Sequence, residues 1–311
     1  MMRSVQSWTQ CGVVTGVWVL ITVMRTQAQN RGVYPLGMSA TNSGVMPASG
    51  FTYSNQLISY SRDEAKDDTG NALPVTGNSA VVMDLNTLTW VSEKQFLGGA
   101  RYSAAATLPF ARNDLTSDIH GNISGGSGFA DSYYMPLIWG WSTERSAVRV
   151  IYSFLAPTGR FIAGANNNVG SGYWTNALSS GQTFFLTKGK TMTLSAFQMY
   201  EFHTTQEGTG VHPGETFNLD YSLLGLLPRT GHWQLHVGLA GYEQRQTTAK
   251  TGPGITLAAS QERYAINAVG IAFTAALPER KTSLGFKYFK EFADRSTFQG
   301  YSLQFMGAIG F

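Results

Sequence analysis

The chain ends on the stretch YSLQFMGAIGF (residues 301–311), in which apolar or aromatic side chains recur at every second position. Successive side chains of a β-strand point to opposite faces, so this spacing places one set of side chains on one face. That set is Tyr301, Leu303, Phe305, Ile309 and Phe311, interrupted by Gly307. The other face takes Ser302, Gln304, Met306, Ala308 and Gly310. The stretch therefore predicts a β-strand with one strongly apolar face.

The opposite end of the chain has the features of a cleavable signal peptide. Arg3 supplies the positive charge, VVTGVWVLITVM (residues 13–24) forms the apolar core, and Thr26-Gln27-Ala28 forms a small-residue cleavage site. A helix that spans a membrane needs about 20 apolar residues, which is longer than this core. We therefore predict a signal peptide over residues 1–28, cleaved after Ala28, in preference to an uncleaved anchor.

Composition excludes several classes of function. Cleavage after Ala28 removes Arg3, Arg25 and no acidic residue, which leaves the mature chain close to neutral. No cluster of Lys and Arg indicates a nucleic-acid partner. The only cysteine, Cys11, is lost with the signal peptide, so disulfides, a catalytic thiol and cysteine-bound metal are excluded. We expect no cofactor and no metal site.

Charged residues make up 13% of the chain, against about 25% in a typical soluble domain, yet no segment after the signal is apolar enough for a spanning helix. Only helices and closed barrels satisfy every backbone hydrogen bond within a membrane. We therefore predict an all-β, antiparallel up-and-down transmembrane barrel in the outer membrane of a Gram-negative bacterium, in contact with lipid and lipopolysaccharide. The terminal Phe311 resembles the signal that the barrel-assembly machinery recognises. A secreted β-sandwich or soluble barrel is the alternative.

Twelve segments of strand length follow the signal. Their connections alternate between long and short, as expected when both termini are periplasmic and the short turns face the periplasm. Gly, Pro, Ser and Asn make residues 29–50 too irregular for a strand, and this segment is either a periplasmic leader or a plug within a barrel of residues 51–311. The predicted strands are 51–61, 79–92, 98–109, 128–142, 145–156, 181–187, 190–203, 215–226, 232–245, 262–277, 281–291 and 297–311.

Alternation within these strands indicates which side chains face the lumen. Arg149, for example, lies between Val148 and Val150, and a charge on the lipid face near the midplane costs about 2 to 4 kcal/mol. One hypothesis is that inward charges form a constriction, and the alternative is that they pair and brace the wall. The candidates are Arg149, Asp220, His236, Lys287, Glu201 and Arg263.

Aromatic residues near strand ends, such as Trp90, Trp139, Trp141 and Trp233, are typical of anchors at the membrane interfaces. Tyr173 and Trp174 differ because they lie in the longest predicted external loop. We predict that this pair forms an aromatic site at which an apolar solute first binds.

Short motifs rich in Gly, Pro and aromatic residues occur along nearly the whole mature chain. They are GVYPLGM (32–38), GVMPASGFTYSNQLISYS (44–61), DDTGN (67–71), GFADSYYMPLIWGW (128–141), FLAPTGRF (154–161), NNNVGSGYWT (166–175), HPGETFNLDYSLL (212–224) and VGLAGYEQRQT (237–247). In this order they resemble an outer-membrane family named for the meta-pathway of phenol degradation, with Ala48 and Ala130 as departures where proline and glycine are expected. The resemblance implies a barrel similar in class to the long-chain fatty-acid channels, which admits hydrophobic compounds.

We accordingly predict a channel for passive uptake of small hydrophobic or aromatic compounds, with a general diffusion pore or a structural barrel as the alternative. An enzymatic barrel would require a serine or carboxylate beside a histidine. The five histidines lie in no recognisable nucleophile motif: His120, His203 and His212 lie in or beside loops, His232 opens a strand, and His236 faces the predicted lumen. The sequence therefore predicts that the protein is not an enzyme.

Overall fold

The structure is a computed structural model that describes residues 32–96, 98–228 and 232–311. The predicted signal peptide, its cleavage site after Ala28 and residues 29–31 lie outside the described residues. The described chain forms a single sheet of antiparallel strands joined by turns and loops.

Twelve of the strands close into a barrel. β1 pairs with both β2 and β13, β2 pairs with β3, β3 pairs with β5, and each later strand pairs with the next in sequence. The predicted closed antiparallel barrel of about twelve strands is confirmed. The strands of the described chain are β1 Gly50–Ala65, β2 Ser79–Phe96, β3 Ala100–Ser117, β4 Gly121–Phe129, β5 Ser132–Ser142, β6 Ser146–Ala156, β7 Thr175–Phe185, β8 Met192–His203, β9 Thr216–Leu226, β10 Gln234–Gln246, β11 Ala265–Leu277, β12 Thr282–Glu291 and β13 Phe298–Gly310.

β4 lies outside the barrel ring. It pairs only with the end of β3, from Phe110 to Ser117, and forms a hairpin at the rim. The sequence pattern predicted a loop over residues 110–127, which is wrong for this hairpin. Its residues are rich in Gly and Ser and mostly exposed on both faces, so they carry no apolar alternation from which a strand could be predicted.

β7 is also longer than predicted. It begins at Thr175, whereas the pattern indicated a strand from residue 181. Its outer face carries Ser180 and Gln182, which hydrogen-bond each other, and Ser180 also donates to Gln198 of β8 at 3.0 Å. These polar side chains satisfy one another on the outer face, and they remove the alternation that identified the other strands.

An apolar surface surrounds the barrel. Every one of the twelve ring strands exposes at least one large apolar side chain on its outer face, as Leu57, Val150, Leu239, Ile271 and Phe305 illustrate. This surface matches the outward-facing apolar band of a membrane barrel. No helix in the described part of the chain has the length and hydropathy to cross a membrane. The longest helix there is α1, Leu257–Gln261.

The two ends of the barrel differ. One end carries the longer connections, including residues 66–78, 157–174, 204–215 and 247–264, and the other carries short turns such as residues 143–145. The beginning of β1 and the end of β13 meet at the short-turn end, where Phe51 and Phe311 exchange both backbone hydrogen bonds. We refer to these as the loop end and the turn end.

Residues 32–49, which we call the inner segment, lie inside the barrel. Near the loop end, Gly32 N donates to the hydroxyl of Tyr264 at 2.6 Å. Near the turn end, Ser49 Oγ donates to the carbonyl of Ser92 at 3.2 Å. The inner segment therefore follows the lumen from the loop end to the turn end, where it enters β1.

Candidate solute pathway in the lumen

The inner segment is held in a compact turn at mid-barrel. Met38 N donates to the carbonyl of Pro35 at 3.1 Å, and Ala40 N donates to that of Gly37 at 3.3 Å. Gly37 has a positive φ of 79°, and a Cβ at this position would collide with the ring of Phe289. Glycine is therefore required at this point, both for the backbone conformation and for the close approach to the wall.

Two lumen charges, from β9 and β12, hold this turn. Asp220 of β9 accepts hydrogen bonds from Gly37 N and Ser39 N, both at 3.0 Å. Lys287 of β12 donates to the carbonyls of Gly37 at 2.6 Å and Met38 at 2.8 Å. The carboxylate thus satisfies backbone donors and the ammonium satisfies backbone acceptors, which are the stronger, charge-assisted kind of hydrogen bond.

Tyr34 links the inner segment to two acidic residues. Its hydroxyl donates to Asp220 at 2.5 Å, and its backbone N–H donates to Glu201 of β8 at 2.8 Å. Its ring stacks on Phe197 with centroids 5.5 Å apart. A phenol is protonated at neutral pH, so the Tyr34 hydroxyl donates and the Asp220 carboxylate accepts.

Further uncharged side chains complete what we call the polar wall, the lumen-facing residues of β7, β8, β9, β12 and β13 that contact the inner segment. Gln304 donates to the carbonyl of Leu36 at 2.7 Å, and Ser222 donates to that of Ala40 at 2.7 Å. Gly44 N donates to Thr183 at 3.0 Å. The polar wall consists of Thr183, Phe197, Glu201, Asp220, Ser222, Lys287 and Gln304.

A buried ion pair between β1 and β12 was missed from the sequence. Arg62 donates through Nε and Nη2 to Glu291, at 2.6 to 2.9 Å, and also lies over the ring of Tyr60 at 4.4 Å. Tyr242 donates to the same carboxylate at 2.9 Å. The sequence pattern placed Arg62 in a loop, which is wrong because β1 continues to Ala65 and turns this side chain into the lumen.

The opposite side of the lumen is apolar. We call the lumen-facing residues Val81, Met83, Leu85, Ala105, Tyr133 and Met135 of β2, β3 and β5 the apolar wall. A cavity of about 1190 Å³ is lined by this wall and by the inner segment, which contributes Met38 and Met46. The same cavity also reaches Glu201 of β8, Gln244 of β10 and Ile266 of β11. Lining residues come from the loop end, mid-barrel and the turn end, as Tyr173, Met83 and His236 show.

The predicted lumen residues separate into groups. Asp220, Lys287 and Glu201 come together around the inner segment and are buried. Arg149 and His236 line the cavity, His236 near the turn end, and Glu201 contributes to the same lining. Arg263, a further candidate, is exposed at the loop end, where it donates to the carbonyl of Thr247 at 2.7 Å.

Tyr173 and Trp174 do not share one surface. Tyr173 is buried on the lumen side, where its ring packs edge-on against His203 with centroids 5.2 Å apart. Trp174 is exposed and contacts the outward-facing ring of Phe154 at 6.1 Å. Adjacent residues at the start of a strand face opposite ways, so one ring lines the cavity and the other lies on the barrel exterior.

No group of three or more metal-binding side chains is assembled by the described residues. The sequence matches the family described as "Putative MetA-pathway of phenol degradation" over residues 62–306. The chain belongs to this family. Membership confirms the resemblance that the sequence motifs indicated. None of the curated protein sequences is similar to this chain.

Solved structures share the fold of this family member. An outer membrane channel from Pseudomonas putida F1 is similar with a TM-score of 0.71 at 13% identity, covering 90% of this chain and 100% of that one. The β domain of the Bordetella autotransporter BrkA matches with a TM-score of 0.51 at 11% identity, covering 85% and 100%. At these identities the likeness concerns the fold, which is that of outer-membrane barrels.

Proposed function

We propose that this protein is an outer-membrane channel for small hydrophobic or aromatic compounds. The observation that carries the proposal is the cavity of about 1190 Å³, which follows the apolar wall beside the inner segment. A solute that passes between Met83, Met135 and Tyr133 meets thioether and aromatic surfaces, which adapt to apolar shapes and bind them weakly. Weak contacts at several places suit passage better than one tight site.

The inner segment is the second part of this proposal. Its hydrogen bonds to Asp220, Lys287 and Gln304 hold it against the polar wall, so it acts as a plug over that half of the lumen. The side of the lumen left open is the apolar one. The channel then conducts ions poorly and still admits apolar solutes.

The solved barrel from Pseudomonas putida F1 is described as an outer membrane channel, and its fold supports the same location for this chain. Export proceeds through the signal peptide of residues 1–28, with cleavage after Ala28, and the barrel-assembly machinery recognises Phe311. The apolar exterior contacts outer-membrane lipid and lipopolysaccharide, and the turn end faces the periplasm.

Uptake measurements test this proposal directly. Cells with and without the protein are given radiolabelled toluene or a radiolabelled sugar, and single-channel conductance is measured in planar bilayers. We expect faster toluene uptake, little sugar uptake and low conductance. Sugar uptake with steady conductance would instead establish a general diffusion pore, and no effect on either solute would establish a structural barrel.

A matched pair of variants connects uptake to the cavity. Val81 lines the cavity, whereas its neighbour Val82 is exposed on the outer face. Val81→Trp fills the pathway and is expected to abolish most toluene uptake. Val82→Trp places the same ring among lipid and is expected to leave uptake unchanged. Equal uptake by the two variants would refute the pathway along the apolar wall.

A further inference from the structure

Arg149 is a cation without a partner at the edge of the apolar cavity. The structure gives its guanidinium no hydrogen bond and no ion pair among residues 32–96, 98–228 and 232–311, and Nε is buried with no acceptor. Its side chain contributes to the cavity lining. The other inward-facing strand charges near the inner segment contrast with it, since Asp220, Glu201 and Lys287 all bind backbone groups of that segment.

The neighbouring strands explain why Arg149 has no partner. Its cross-strand neighbours are glycines on both sides, Gly140 of β5 and Gly181 of β7. The space above these glycines is occupied by the inner segment, because the Met46 side chain covers Gly140 and the Ser43 carbonyl covers Gly181. Flanking positions therefore provide no carboxylate that could reach the guanidinium.

Arg149 is half-buried, with its Nε atom fully buried. A cation withdrawn from water without a counter-charge is costly, and an anion that enters the site recovers part of that cost. A guanidinium matches a carboxylate in geometry, because its planar fork donates two parallel hydrogen bonds. The same cavity contains Met46, Met135 and Tyr133, which suit an alkyl chain or aromatic ring. Other charged side chains line the cavity elsewhere, such as Arg62 and Glu201, which both have partners. At Arg149, a cation beside an apolar surface matches a molecule with one negative charge and an apolar body.

We propose that Arg149 is a headgroup site for apolar monocarboxylates, whose carboxylate binds the guanidinium while the ring or chain lies against the apolar wall. This inference rests on the proposed hydrophobic channel and specifies its solute class. Neutral hydrocarbons pass along the same wall without the headgroup contact. Apolar amines are disfavoured because they bring a second positive charge to Arg149.

Competition against a neutral solute tests the inference. Uptake of radiolabelled toluene is measured in cells that contain the protein, with 4-butylbenzoate or 4-butylbenzylamine as competitor, and cells without the protein give the background. A hydrogen bond to a charged group is worth about 1.5 to 3 kcal/mol, which corresponds to about 10- to 100-fold in affinity. We expect 4-butylbenzoate to inhibit at least about tenfold more strongly than the amine.

Variants at two positions attribute that preference to Arg149. Arg149→Gln is expected to lose the preference for the carboxylate while toluene uptake persists. Gly140→Asp adds a carboxylate directly opposite Arg149 in the strand register. Both this variant and Gly140→Asn displace the Met46 side chain that covers Gly140, so only the charge differs between them. Gly140→Asp is expected to remove the preference without altering the arginine. Gly140→Asn has the same shape without the charge and is expected to retain it. If Arg149→Gln does not fold, the comparison of Gly140→Asp with Gly140→Asn still tests the proposal.

The outcomes separate the two proposals. If toluene uptake occurs but the two competitors inhibit equally, or the preference survives in both Arg149→Gln and Gly140→Asp, the headgroup site is refuted and the hydrophobic channel stands. If toluene uptake does not exceed the background, both proposals are refuted. A carboxylate preference that Arg149→Gln and Gly140→Asp abolish and Gly140→Asn retains supports the site.

Discussion

The two sides of the lumen differ in chemistry although the same barrel forms both. The polar wall bears Glu201, Asp220 and Lys287, each of which hydrogen-bonds to the inner segment. The apolar wall bears Val81, Met83 and Met135, which leave a cavity beside that segment. Polar side chains inside a barrel therefore need not line the pathway, since here they hold a strip of backbone in place.

This difference follows from what each wall has to satisfy. An irregular segment exposes backbone N–H and C=O groups that must find partners when they are buried. The polar wall supplies these partners, including charged ones. The apolar wall faces only side chains of the inner segment and the cavity, so it requires no donors or acceptors. The lumen is thereby divided between a binding surface for the chain itself and a surface free for solutes.

The largest expected effect comes from breaking the ion pair beside the polar wall. Arg62→Met leaves Glu291 buried and without its cation, which costs about 3 kcal/mol or more. We expect that loss in the free energy of unfolding, measured by urea titration of the protein in detergent micelles. The double variant Arg62→Met with Glu291→Gln should recover part of it, because Gln keeps an acceptor for Tyr242. Equal stability of wild type and Arg62→Met would contradict this account.

Loss of the Asp220 charge should release the inner segment from the polar wall. In Asp220→Asn, the amide cannot accept from Gly37 N, Ser39 N and Tyr34 Oη as the carboxylate does. Hydrogen bonds to charged groups are worth about 1.5 to 3 kcal/mol, so the displaced state becomes about 10- to 100-fold more populated. We expect ion conductance in planar bilayers to rise accordingly.

Asp84→Asn is the matched control for this measurement. Asp84 pairs across β1 with the outward-facing Leu57, so the same change of charge is made on the exterior of the barrel. Its conductance should equal that of wild type. If Asp220→Asn conducts no better than Asp84→Asn, the polar wall does not hold the inner segment closed.

A substitution in the apolar wall can change the surface that the solute contacts and leave the hydrogen bonds of the inner segment in place. Met83→Gln keeps a similar size but places an amide without a partner against the solute, and such a group costs about 1 to 3 kcal/mol. We expect toluene uptake to fall about tenfold while conductance stays low. Met83→Leu keeps the surface apolar and should retain uptake. The account fails if the glutamine and leucine variants transport equally.

The smallest expected effect is that of a single hydroxyl. Tyr34→Phe removes the hydrogen bond to Asp220 and keeps the ring stacked on Phe197. This hydrogen bond is made to a carboxylate, and its loss at the lower limit of about 1.5 kcal/mol corresponds to about a tenfold change in population, because Asp220 keeps its two backbone donors. Conductance should therefore rise by less than in Asp220→Asn. A rise as large as that of Asp220→Asn would show that the tyrosine, and not the carboxylate, holds the segment.

Much of the barrel could be predicted from the sequence because its outer face is regular. Strands such as β6, β9 and β13 alternate apolar and polar side chains. This alternation identified the strands and showed which side chains of each point into the lumen. Inward placement of Asp220 and Lys287 followed from the same period of two. Strand β7 and the β4 hairpin were mispredicted in extent, because polar or glycine-rich faces carry no such signal.

The functional arrangement of the lumen could not be predicted in the same way. Asp220 and Lys287 lie 67 positions apart, and nothing in this spacing shows that both bind the backbone of one turn. Arg62 and Glu291, which form an ion pair, lie even further apart, at 229 positions. The apolar wall was missed because polar residues alone were assigned to the lumen, whereas β2 presents Val81, Met83 and Leu85 there.

The strands and the closed barrel could be predicted from the sequence, because lipid and lumen impose a local alternation on each strand. The family could be predicted from the order of its short motifs. Which lumen charges bind the inner segment became clear only from the folded barrel, and so did the position of Arg149, which has no partner among the described residues. Contacts of that kind depend on how closure of the barrel brings distant strands around one short segment. The side of the lumen that remains open is consequently a property of the assembled barrel.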